Sequence, residues 1–250
     1  MRAILSIAAA AMVFAGPTAV FAQDNDPQTG SRLGNRLEDG NALRERDAIR
    51  ATQRWAECIY FKRDRTVMRM LTSLDPADVE NAALNVYQGV SCEMFIPGQS
   101  RADGFMLRTS FATDRGMFAE AALKKKGHLK QSAEILEALP MAEGYNRAWF
   151  ALTTRSNTID AMSICIAETQ PALTVALLRT DRKSAEEDAA ISDLSPYLGG
   201  CLVAGASLNA NVFQLRNALA DAYFQRIYGQ NDPIVIEQRN DETAAAGMKS

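Results

Sequence analysis

Chemistry is most readily sought around YLGGCLVAG, residues 197–205, where two glycines precede Cys201 and a third follows it. A cysteine in a glycine-rich loop is a candidate nucleophile, but only as a thiolate with a base beside it. Histidine is the usual base, and the chain has one, His128. It stands in LKKKGHLK, where lysines ahead of a glycine read as the last turn of a helix. No partner group is spaced to work with it, so a surface position is the preferred reading. A metal centre lacks ligands for the same reason. Glu186, Glu187 and Asp188 are consecutive acids, as at many helix starts. No EF-hand loop, HExxH, P-loop or dinucleotide fingerprint occurs. No catalytic residue, metal or cofactor is assigned.

Two further candidates carry charge. Glu168, in CIAETQ, has the residue type of a general acid for glycan cleavage, which needs a raised pKa in an apolar cleft. The Glu-Ser-x-Phe signature of lytic transglycosylases and their Gly-Leu-Met-Gln-like segment are both absent. A solvated carboxylate at a helix end is the commoner role. Arg108 and Arg216, in MLRTSFA and QLRNALA, are candidates for a shared anionic-ligand pocket. The plainer reading makes each a structural arginine paired within its own repeat. Tyr87 and Tyr197 read as core residues whose hydroxyls find a partner near a helix end.

The elements that must position these residues are helices. Leu208, Val212, Leu215, Leu219 and Tyr223 recur in steps of three and four, and strand-like alternation is rare. The expected class is all-α. The two halves also resemble each other. Cys58, Ile59 and Leu71 fall on Cys165, Ile166 and Leu178 at an offset of 107. Asp78, Leu84, Tyr87 and Gly89 fall on Asp188, Leu194, Tyr197 and Gly199 at 110, with three extra residues near Arg182–Ser184. Cys92 meets Cys201 at 109, and Leu107–Arg108 meets Leu215–Arg216 at 108. The order of landmarks predicts two pseudo-repeats of about four helices each.

Each copy breaks after its first helix, at Arg63–Asp64 and at Gln170–Pro171, where proline suits a first helical position. The third helix is capped by Asp75 before Pro76, and by a Ser184–Glu187 capping box. It should stop at the Tyr-x-Gly, with glycine in the left-handed conformation. A short extra helix is expected at Ser132–Leu139, stopped by Pro140. The predicted order is signal peptide 1–22, flexible leader 23–46, repeat one 47–126, linker with short helix 127–156, repeat two 157–228 and loose tail 229–250. Both tails are expected to be disordered.

Four cysteines allow three pairings, and pseudo-symmetry alone does not choose among them. Proximity along the chain favours Cys58 with Cys92 and Cys165 with Cys201. Each bond would close a loop of about 35 residues and stabilise by roughly 3–4 kcal/mol. On this reading the Gly-Gly-Cys stretch is a helix stop and a staple.

The first residues, MRAILSIAAAAMVFAGPTAVFAQDND, have a charged n-region, a short apolar run and small residues at Val20 and Ala22. Cleavage after Ala22 would send the protein to the periplasm or outside the cell, with no transmembrane segment in the mature chain. Net charge is −3 for the full chain, without basic blocks, which argues against nucleic acid as a partner. Hydrophobic residues make up 47%, enough for a sizeable core.

The paired-cysteine unit, with Cys…Tyr-x-Gly…Cys…Leu-Arg landmarks over residues 47–228, resembles uncharacterised exported bacterial all-helical proteins with a duplicated unit. Copy one departs from the pattern at Ala112–Thr113, against Ala220–Asp221. The resemblance implies a fold and an exported location, and it implies no activity. The function expected is non-enzymatic: a stapled scaffold that binds an envelope protein or component. A carboxylate-dependent hydrolase or lyase acting on an envelope polymer is the alternative. A third option is a small-ligand carrier using Arg108 or Arg216.

Overall fold

A computed structural model describes residues 42–92, 110–203 and 205–229, and these residues form helices joined by loops. The expected signal peptide, the expected leader up to residue 41, Leu107–Arg108 and the expected tail from residue 230 lie outside the described residues. Among the described residues, no single helix is long and apolar enough to cross a membrane.

Helix α1 runs Ala42–Thr72, with one break of helical geometry at Arg63 (φ −135°, ψ 33°). That break is the predicted junction between the first two helices. Helix α2, Pro76–Val86, starts at the expected cap, where the Asp75 carboxylate accepts from the Ala77 N–H. Helix α3, Phe111–Lys126, ends as its lysines predict, at Gly127 in the left-handed conformation (φ 90°). Helices α4, Asn157–Thr169, and α5, Pro171–Arg179, meet at Gln170 with a bend of 104°. Helix α6, Ala185–Leu198, is capped by Ser184, and α7, Val212–Tyr228, by a full Asn211–Gln214 capping box.

Helices α3 and α7 form the centre. Both are buried continuously, from Thr113 to Leu123 and from Leu215 to Gln225. A helix buried on every side has no polar face, so small residues must let its neighbours approach. Gly116 does this where α3 crosses α7: a Cβ there would lie 2.5 Å from the Asn217 backbone oxygen. Helix α1 packs on α3, α2 packs on α1, and α4 packs on α7. Phe118, Trp149, Tyr223 and Phe224 fill the larger core cluster, while Ile166, Leu177, Leu194 and Leu219 surround the second disulfide.

Both disulfides join the pairs that chain proximity favours. Cys58–Cys92 spans 34 residues and Cys165–Cys201 spans 36. Two disulfides fit an oxidising, exported location.

Several local expectations are corrected. Residues 132–139 are not helical. Their backbone groups bond elsewhere: the Leu139 N–H donates to the Glu168 carbonyl (2.8 Å), and Arg226 donates to the Glu137 carbonyl. Ile135 and Leu139 are exposed while Leu136 packs on the core, so the segment buries one apolar side chain rather than a helical face. The short helix of the linker is instead a 3-10 turn at Ala148–Leu152, carrying the buried Trp149 and Phe150. Gly89 is left-handed as expected, but Gly199 stays right-handed (φ −62°) and leads into a 3-10 turn, Gly199–Cys201. Continuing the helical turn is how Cys201 reaches Cys165. The left-handed glycine of that stretch is Gly205. The Ser184 cap is half a capping box: Glu187 accepts from the Lys183 N–H rather than from Ser184.

Candidate functional site

Two buried ion-pair networks straddle the α3–α7 crossing. In the first, Arg115 of α3 donates to Asp221 of α7 (2.8 Å). Its other nitrogens bond the Met70 and Leu71 carbonyls at the end of α1, each at 2.9 Å. Arg155, ahead of α4, bonds Asp221 (2.5 Å), Asp160 (2.6 Å) and the Ala112 carbonyl (3.2 Å). Thr153 and Gln225 complete the carboxylates. Every guanidinium nitrogen and carboxylate oxygen of these four charged groups is bonded, and the network is closed.

The second network reverses the roles. Arg216 of α7 grips Glu120 of α3 with two nitrogens (2.7 and 3.1 Å). It also bonds Glu187 (2.7 Å), the Thr180 hydroxyl and the Leu178 and Thr180 carbonyls at the end of α5. Arg182 donates through Nη2 to Glu120 (2.6 Å) and to Asn217 (2.7 Å). Its Nε and Nη1 are buried without a hydrogen-bond partner, as are Asn217 Nδ2 and both side-chain polar atoms of Gln53.

Charge follows geometry. Burial works against the Glu120 carboxylate, but Arg182 and Arg216 overcome it and hold the group below its usual pKa. Arg115 and Arg155 do the same for Asp221. Asp160 goes the other way, because burial outweighs Arg155 and Thr153 and raises it. Burial lowers the Arg182 pKa despite Glu120.

The second network opens on a cleft of about 440 Å³. Six cationic residues line it: Arg50, Arg54, Lys124, Arg179, Arg182 and Arg216. Three carboxylates, from Glu57, Glu120 and Asp181, face them. Its floor includes Leu129 and Leu178, and Gln53 lines the α1 wall. Arg50, Gln53, Arg54 and Glu57 are spaced three and four residues apart, so they share one face of α1. Lys124 pairs with Glu57 across the cleft (2.8 Å), and Phe213 lies 5.1 Å from the Arg182 guanidinium.

Of the residues singled out from the sequence, Arg216 lines this cleft, with its guanidinium engaged throughout. Arg108 lies outside the described residues. The residue placed like Arg216 is Arg115, seven residues after Arg108. Glu168 is not the solvated carboxylate expected: it is buried against Arg147 (3.0 Å) and does not line the cleft. Phe61, its counterpart in the first half, is exposed beneath Lys125. His128 is half-buried and bonds the Tyr228 hydroxyl (2.8 Å). Tyr87 and Tyr197 are exposed rather than core residues. Tyr87 does find a partner, Asp114 (2.5 Å), and stacks on Trp55. Among the described residues, no cluster of three or more metal-ligating side chains occurs. Sequence reading passed over Gln53, Arg54 and Arg182. The polar stripe Arg50-x-x-Gln-Arg-x-x-Glu57 was the available signal for the first two.

Comparison of the chain with protein-family models, with curated proteins and with solved structures finds no match.

Proposed function

We propose that this is an exported, non-enzymatic binding protein that holds an anion in the cleft beside Arg182. One observation carries the reading: Arg182 is buried, lines a cation-rich cleft, and has two nitrogens, Nε and Nη1, with no partner. Unpaired buried donors cost stability, and an oxyanion would satisfy them. The closed Arg115–Asp221 network is the internal contrast, since the same kind of cluster there bonds completely. The alternative of a carboxylate-dependent hydrolase or lyase is not favoured. A general acid needs a raised pKa, and Glu120, the buried carboxylate of the cleft, is lowered by its arginines.

The same reading includes a duplicated architecture. Ser110, Arg115, Gly116 and Glu120 correspond to Asn211, Arg216, Asn217 and Asp221 at a single offset of 101. Each pair has matching work: helix cap, carbonyl clamp, crossing point, partner carboxylate. Arg182 stands among the three extra residues of the second half, and it lines the cleft there. Export rests on the leader sequence, and cleavage there predicts a mature chain beginning at Gln23.

The test is calorimetric titration of the mature, oxidised protein with inorganic phosphate at low salt. One saturable site is expected, weakened at least tenfold by Arg54→Glu, which reverses an exposed charge at the rim. No heat of binding in the unaltered protein would contradict the proposal.

A further inference from the structure

The unpaired atoms of the residues lining the cleft lie just beneath its surface, and they are not all donors. Arg182 Nε and Nη1 and the Gln53 amide nitrogen offer hydrogens, while the Gln53 amide oxygen needs one. Reversing the amide exchanges its two ends and leaves one donor and one acceptor in either orientation. Glu57 and Asp181 add carboxylate acceptors to the lining. A bare oxyanion answers the arginines and offers these acceptors almost nothing. The apolar floor is confined to Leu129 and Leu178, too little for an acyl chain or a large aromatic ring.

From this complement we infer that the cleft takes a small hydroxylated anion, a sugar phosphate or sugar acid, with its oxyanion at Arg182 and a hydroxyl at Gln53. The inference rests on the anion-binding proposal above and sharpens it. With the Arg182 side chain turned toward the cleft, the oxyanion accepts from its Nε and Nη1. A neighbouring hydroxyl donates to the Gln53 oxygen and accepts from its nitrogen. Further hydroxyls donate to Glu57 or Asp181 at the rim. Arg54, exposed on the next position of α1, adds attraction over the mouth. Neutral sugars lack the charge that the six cationic residues favour.

The experiment compares inorganic phosphate, glucose 6-phosphate, gluconate and glucose on the mature, oxidised protein and on Gln53→Leu. Leucine has nearly the same volume and removes two unsatisfied polar atoms, so the variant should fold with an unchanged or higher Tm. In the unaltered protein, glucose 6-phosphate and gluconate should bind at least tenfold tighter than phosphate, with glucose not binding. Gln53→Leu should abolish that preference and leave phosphate affinity within about twofold. Equal affinity for phosphate and the hydroxylated anions would overturn the inference while leaving anion binding intact. Binding of none would overturn both. A Gln53→Leu protein that keeps the tenfold preference, or melts several degrees lower, would show that Gln53 is a bonded structural residue and not a ligand contact.

Discussion

Arg216 shows why an arginine noticed in sequence need not be a ligand arginine. Its guanidinium is 1% exposed in side-chain terms and grips Glu120 and Glu187. Arg216→Ala would strand two buried carboxylates, and should lower unfolding free energy by about 3–5 kcal/mol in chemical denaturation. Arg216→Lys keeps the charge but not the planar fork, so it should recover only part of that loss. Acid sensitivity follows from the same groups. Glu120 and Asp221 have folded pKa values below their unfolded ones, so they contribute stability at neutral pH. That contribution is lost as pH falls below about 4, where the unfolded carboxylates protonate first. Asp160, raised in the fold, acts in the opposite sense and partly offsets the decline. Thermal melts should therefore show little change from pH 7 to pH 5 and a steep drop between about pH 4 and pH 2. A flat profile through that range would contradict the ion-pair account.

At the scale of elements, caps and breaks were legible because their signals are local. Asp75-Pro76, Gln170-Pro171 and Lys126-Gly127 each act through a neighbouring backbone group, and each stands where the sequence places it. The cysteine pairing was also legible, from proximity along the chain. Replacing Cys165 and Cys201 together by alanine should cost roughly 3–4 kcal/mol, since the bond closes a 36-residue separation. An unchanged denaturation midpoint would show that packing alone holds α4 to the end of α6. The helix expected at 132–139 failed because its backbone groups bond α4 and α7 across the fold instead of one another. Arg108 lies outside the described residues, and the proposed duplication sets Arg115 against Arg216 instead. Seven residues are close to two helical turns, so sliding α3 by that amount preserves its faces and their residue types. The connection from Cys92 to Ser110 is eight residues longer than that from Cys201 to Asn211, the difference that the proposed duplication has to accommodate.

Across the whole molecule, the two halves are tied through their last helices, each arginine bonding a carboxylate of the other half. No single-residue signal announces such an exchange, because Arg115 and Asp221 lie 106 residues apart. The cleft was illegible for the same reason: its walls come from α1, α3 and the turn after α5, and only folding brings them together. What the fold leaves is one fully bonded ion-pair network and one that borders a cleft and holds buried donors without a partner. The most direct test observes those donors. Arginine Nε–Hε signals, followed by NMR during a phosphate titration at low salt, distinguish the two networks in one sample. The Arg182 signal should shift saturably while the Arg115 signal stays fixed. A stationary Arg182 signal, or equal drift of both, would contradict the assignment of the cleft as an anion site.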